Sequence, residues 1–140
     1  MQIIFDSQNK SILKVEKGED CINVLKELAQ KRNSSFHFSM IGACSLAELG
    51  YFSPKTKKYS TKEFTTDSIE ILSFNGNVAW DEEKPIVHAH GVFSSENYEC
   101  FGGHVVKLII SLTGELIIHW LPIKLVKKYD EETGLKLLSV

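Results

Sequence analysis

Apolar and polar positions along the chain follow two different periods. Between residues 20 and 32, Cys21, Val24, Leu25, Leu28 and Ala29 recur at i, i+3, i+4, i+7 and i+8, which places them on one stripe of an α-helix. Asp20 stands at the start, where its carboxylate can accept a free amide of the first turn. Lys31 and Arg32 fall at the end, where the negative pole of the helix dipole favours cations, and Asn33 suits a left-handed exit.

The rest of the chain reads mostly with the period of two that marks strands. Short strands are predicted over 2–5 and 11–15 around the turn Asp6-Ser7-Gln8-Asn9. Residues 36–41 alternate, with Phe36, Phe38 and Met40 on one face and His37, Ser39 and Ile41 on the other. Extended segments follow over 43–52, 58–65 and 68–74, the last ended by Asn75-Gly76-Asn77, which reads as a turn. Further strands are predicted over 85–93, 98–104, 105–112, 115–121, 124–128 and 135–139. One early helix with many strands predicts an α+β fold on a mostly antiparallel sheet, with the main α-helix over about residues 20–32.

A length of 140 residues fits a single domain over 1–140. With 43% apolar and 24% charged residues, a disordered tail, a collagen-like repeat and a coiled-coil rod are excluded. The 16 Lys+Arg against 18 Asp+Glu leave a net charge of −2, and Arg32 is the only arginine. A free-standing nucleic-acid binder usually carries a basic excess, and arginine is the preferred fork for guanine edges and phosphates. Cys21, Cys44 and Cys100 are widely spaced and odd in number, which points to a reducing compartment. The opening MQIIFDSQNK has too short an apolar run for a secretory signal, and Val105 to Leu121 is interrupted by Lys107, Glu115 and His119. A cytoplasmic protein with no membrane span is expected.

The sharpest candidate chemistry is His88, His90 and His104, in PIVHAHGVF and CFGGHVV. His88 and His90 are two apart in an extended run, so both imidazoles leave the same face with Cα atoms roughly 6.5 Å apart. A three-residue hairpin loop at Ser95-Glu96-Asn97, with Asn97 left-handed, would pair Ser94 with Tyr98. The same register pairs His90 with Gly102 and His88 with His104, so the three histidines share one face. Three neutral imidazoles are the protein share of an open zinc site. On the residues alone, unrelated exposed or hydrogen-bonded histidines remain the other reading. In that register Cys100 falls opposite Val92, as a small buried apolar residue.

Other signals are weaker. His37 and His119 read as ordinary strand histidines. Glu48 and Glu70 could orient an imidazole or act as a base, although solvent-facing positions suit both. Cys44 lacks a local base, and neither G-x-S-x-G, a Walker A loop nor G-x-G-x-x-G occurs. Lys55, Lys57 and Lys58 form a basic turn of the usual solvated kind.

Several short motifs occur in order: Gly18-Glu19-Asp20, Ile41-Gly42-Ala43, Leu49-Gly50-Tyr51-Phe52, Glu70 to Asn77, His88-Ala89-His90, Gly102-Gly103-His104 and Thr133-Gly134-Leu135. Together, over about residues 10–139, they resemble the PPC domain (plant and prokaryote conserved, also written PCC), a domain of unknown function. The resemblance implies a mixed, largely antiparallel sheet with one main helix, assembled as a homotrimer. It implies a metal, zinc, at His88, His90 and His104, as in stand-alone prokaryotic members. The role implied is binding or converting a small molecule through water on the metal. The alternative is a non-enzymatic regulatory or interaction protein acting through its trimer surface, in line with the DNA-binding label of the family. Plant members bind DNA through a preceding AT-hook, and this chain has no Arg-Gly-Arg-Pro element, so nucleic acid is not the expected partner. The fold is also similar to acetolactate decarboxylase, a zinc enzyme with a three-histidine site and a pocket arginine; here the single Arg32 falls on the predicted helix.

Overall fold

The structure, a computed structural model, describes residues 1–139. The helix forms where the apolar stripe places it. Helix α1 spans Cys21–Arg32 and buries Cys21, Ile22, Val24, Leu25, Leu28 and Ala29. Asp20 caps it, accepting from the Ile22 amide at 3.0 Å, and Asn33 ends it in the left-handed region at φ 51°. Each fully buried aliphatic side chain on this stripe contributes roughly 1.5–3 kcal/mol of hydrophobic stabilisation.

Eight strands make up most of the remainder: β1 (Gln2–Asp6), β2 (Lys10–Glu16), β3 (Phe36–Ser53), β4 (Lys58–Asp81), β5 (Lys84–Ser94), β6 (Cys100–Trp120), β7 (Val126–Asp130) and β8 (Leu135–Ser139). They form one sheet in the order β1-β2-β6-β3-β4-β7-β8, with β5 paired to both β4 and β6. All pairings are antiparallel except β4 with β7, a parallel contact at Trp80 and Val126. Because β3 pairs with β4, β4 with β5, β5 with β6 and β6 with β3, these four strands close a circuit.

The expected α+β class is therefore corrected. The chain is mostly β, with 70% strand, 9% helix and one short helix. Segments predicted as separate strands join into strands of 18, 24 and 21 residues. Asn75-Gly76-Asn77 is not a turn but the middle of β4, paired with β3 at Ser39, Phe38 and His37. Glycine is needed at 76 because the backbones of β4 and β5 approach closely. A Cβ there would lie 2.2 Å from the His88 carbonyl oxygen. At Gly42 the need is doubled: φ is +148°, and a Cβ would meet the Thr113 oxygen at 2.1 Å. That residue sits at a bulge of β3 and lets the long strand bend without ending.

The core lies between the helix and the inner face of the curled sheet. Phe36 meets Trp120 edge to face at 4.8 Å, and Phe38 packs on Phe74 at 5.1 Å. Trp120 donates its indole N–H to Ser11 Oγ at 2.7 Å. Arg32 lies over the Trp120 ring at 4.4 Å, pairs with Asp6 at 2.6 Å and donates to the Ser7 carbonyl at 2.8 Å. The only arginine is thus a clasp between the helix and the β1–β2 turn.

The β7–β8 hairpin is pinned at both ends. Leu125 donates to Ser35 Oγ at 2.8 Å, and Trp80 donates to the Leu125 carbonyl at 2.8 Å. At the far end, Lys57 on the β3–β4 turn donates from Nζ to the Glu132 carbonyl at 2.7 Å. Among the described residues, no helix is long and apolar enough to cross a membrane.

Candidate metal centre

Strand alternation and pairing carry three imidazoles to one place. His88 and His90 leave β5 on its outer face, across from Asn77 and Asn75 of β4. His104 of β6 pairs with His90. Ring centroids are 5.3 Å apart for His88 and His90, 5.4 Å for His88 and His104, and 5.5 Å for His90 and His104. One nitrogen of each ring lies within 4.8 Å of the others.

The register differs from the sequence-based one by two residues. Ser94 pairs with Cys100, not Tyr98, and His104 faces His90, not His88. The loop is two residues longer than expected, and Tyr98, not Asn97, takes the left-handed conformation at φ 62°. An even shift preserves the face of every side chain, so the histidines still gather. Cys100 lies opposite Ser94 and is exposed rather than buried.

None of the three rings has a hydrogen-bond partner among the described residues. Burial holds the imidazole of His88 below its ordinary pKa, helped by the Lys127 ammonium and the neighbouring histidines. His104 is lowered by burial, then by His90 and Lys127. Both are therefore neutral, the form that can ligate, near pH 7. Asn77, beside His88 in the sheet, has a buried Oδ1 with no partner. It is an acceptor of the kind that orients a ligating imidazole.

This donor set fits a borderline divalent ion. Bond lengths of about 2.0–2.1 Å place tetrahedral ligand nitrogens roughly 3.4 Å apart. The ring nitrogens lie within 4.8 Å of one another, which leaves up to about 1.4 Å for the side chains to close around an ion. A cavity of about 400 Å³ opens beside His88 and His104 and is walled by Tyr59, Lys127 and Leu137. A depression of about 280 Å³ lies on the other side, along His90, Asn75, Gly102 and Gly103.

Other candidate groups lie apart from this cluster. Glu70 is exposed and pairs with Ala43 and Ser94, while Glu48 pairs with Glu63 and Lys107. Neither lines the cavity. His37 and His119 stack on each other at 4.8 Å across β3 and β6. Cys44 is buried, and its thiol is pushed up to about 12, so it is not a nucleophile. Sequence reasoning missed Lys127, Tyr59 and Asn77. Tyr59 sits 6.0 Å from His104, ring to ring. Alternation gave no signal for Lys127: Val126 is 38% exposed while Lys127 is 8% exposed, the reverse of what residue type suggests.

Comparison with known proteins bears on the family and the fold. No curated protein matches the chain. A DNA-binding candidate from Ralstonia eutropha JMP134 is 25% identical, with a TM-score of 0.90 over 97% of this chain and 94% of that one. A protein from Archaeoglobus fulgidus described as metal-containing is 27% identical, with a TM-score of 0.86 over 100% and 99%. Acetolactate decarboxylase from Bacillus subtilis shares the fold at 13% identity and a TM-score of 0.57, over 90% of this chain and 58% of that one. The profile of the Plants and Prokaryotes Conserved (PCC) domain matches residues 4–122, and the chain belongs to that family.

Proposed function

We propose that this chain is a single-domain, homotrimeric, cytoplasmic metal protein that holds zinc through His88, His90 and His104 and receives a small molecule in the adjoining cavity. The observation that carries the reading is the convergence of three imidazoles, one nitrogen of each within 4.8 Å of the others. A divalent ion held there supplies a Lewis acid. The chain's own contribution is to present neutral nitrogens and to wall the ligand with Tyr59 and the β7–β8 hairpin. A neighbour of similar fold is described as metal-containing, which favours the same use here.

Trimer formation is supported by apolar side chains on the face that carries the histidines. Ile41, Val92 and Val106 are 56%, 45% and 39% exposed, and such surface is usually covered. Two free buried thiols, Cys21 and Cys44, fit a reducing cytoplasm. Nucleic acid is disfavoured as partner, since the net charge is −2 and the one guanidinium is held by Asp6 and Trp120.

Elemental analysis of the purified protein tests this reading, with and without a chelator, beside a His88→Ala/His90→Ala variant. About one zinc per chain, lost in the folded variant, is the expected result. A wild-type chain that takes up no metal on reconstitution, or a variant that keeps it, refutes the reading.

A further inference from the structure

The wall of the histidine cavity contributed by β7 carries a charge that no group among the described residues answers. Lys127 is 8% exposed. Among the described residues it has neither an ion pair nor a side-chain hydrogen bond. The other lysine of the cavity, Lys136, is paired with Asp81. Lys127 lines the cavity together with His88, His104 and Tyr59, while Leu135 and Leu137 give it an apolar side, and among the described residues no carboxylate lines it. Buried lysines are rare unless paired, and among the described residues no anionic group pairs with this one. A divalent ion on the histidines would add positive charge to the same cavity.

From this we infer that the cavity takes a small carboxylate with a short apolar body, its anionic end lying between the histidine cluster and the Lys127 ammonium. The inference rests on the metal reading above and adds the ligand class to it. Lys127 also selects: the carboxylate binds, and the uncharged amide of the same shape does not gain the ion pair. The apolar side formed by Leu135 and Leu137 favours a branched aliphatic body over a further charge. Lys127 lies beyond the 4–122 span of the family profile, so the charge that makes this choice comes from the C-terminal hairpin of this chain.

The test uses the full chain reconstituted with cobalt(II), whose visible absorption reports on its ligands, titrated with isobutyrate and separately with isobutyramide. Isobutyrate is expected to shift the spectrum with an affinity at least ~10-fold above that of the amide. Loss of one charge-assisted hydrogen bond predicts that Lys127→Met weakens isobutyrate about 10- to 100-fold. The cobalt stoichiometry and the amide affinity stay unchanged, and Lys127→Arg restores isobutyrate binding. A Lys127→Met protein that holds full cobalt and binds isobutyrate as the wild type does overturns the inference while leaving the metal site standing. A wild-type chain that takes up no cobalt overturns both.

Discussion

Replacing Gly76 with alanine tests how closely the fold and the histidine cluster are tied. The added Cβ would sit 2.2 Å from the His88 carbonyl oxygen, 2.8 Å from Ala89 Cα and 3.0 Å from Ala89 Cβ. A comfortable carbon–oxygen contact is about 3.3 Å, so β5 must retreat from β4 by roughly 1 Å at the residue that carries the first imidazole. The obstacle is backbone, with β4 held between β3 and β5, so no side-chain rotation relieves it. Overpacking of this kind costs about 3 kcal/mol, the upper end of its usual range. Alanine also narrows the unfolded ensemble, which returns about 0.4–1 kcal/mol. The net loss is then about 2 kcal/mol. With an unfolding entropy of about 0.3 kcal/mol/K for a chain of this length, Tm falls by roughly 7 °C.

The matching control is Gly103→Ala, beside His104, where a Cβ would find its nearest neighbours at 3.7 Å, an ordinary contact. It should melt at the wild-type temperature or up to about 3 °C above it. Thermal unfolding followed by circular dichroism measures both, and zinc titration of the two variants should show weakened binding in Gly76→Ala alone. A Gly76→Ala protein as stable as the wild type would refute the claim that the close approach at this residue fixes β5.

Three further outcomes are expected. Asp20→Ala removes the acceptor for the Ile22 amide and should cost about 1 kcal/mol, or roughly 3 °C in Tm; an unchanged melt would mean that the cap contributes nothing. Zinc at about 100 times its Kd should raise Tm by roughly 9 °C through some 2.7 kcal/mol of linkage, and the His88→Ala/His90→Ala variant should show no such rise. In the metal-free protein, His88 and His104 have folded pKa values below their ordinary one. The unfolded chain therefore takes up protons first, and stability falls as pH drops from about 6.5 through the lowered folded values. Denaturant titrations at pH 7.5 and 5.5 check this, and equal midpoints would contradict it.

The helix was readable because every local signal agreed: a stripe at helical spacing, an acceptor at Asp20 and a left-handed exit at Asn33. The histidine pattern was readable because a period of two survives an even register shift. The lengths of the strands were not. Asn75-Gly76-Asn77 and Thr113-Gly114 carry the residues of turns, yet Gly76 and Gly114 serve close approach within β4 and β6. A Cβ on Gly114 would meet Met40 Sδ at 2.8 Å. A glycine needed for space and one needed for a turn look alike until the neighbouring strand is known. Lys127 was hidden for a related reason: β7 joins the β4 ladder at a single residue pair, so its facing is set by the hairpin's anchors at Ser35 and Lys57 and not by its own alternation.

The position of the cluster follows from how β6 is shared. One edge of β6 pairs with β3 from His104 to Trp120. The other edge pairs with β5 over Cys100 to His104 and with β2 over Thr113 to His119. Between those two ladders the start of the helix intervenes, with Ile110 donating to the Glu19 carbonyl and Gly18 donating to that of Ile110. The β5–β6 ladder ends before that point, and His90 with His104 is its last pair. Beyond it β5 stays with β4, carrying His88 away from β6. A fork between two diverging strands leaves open the space that a continuing ladder would fill with cross-strand side chains. His88, His90 and His104 stand at that fork, and the cavity walled by Lys127 and Tyr59 adjoins it. The same closure that joins four strands in a circuit thus leaves one gap in it, and the chain's most concentrated set of metal-ligating nitrogens lies at that gap.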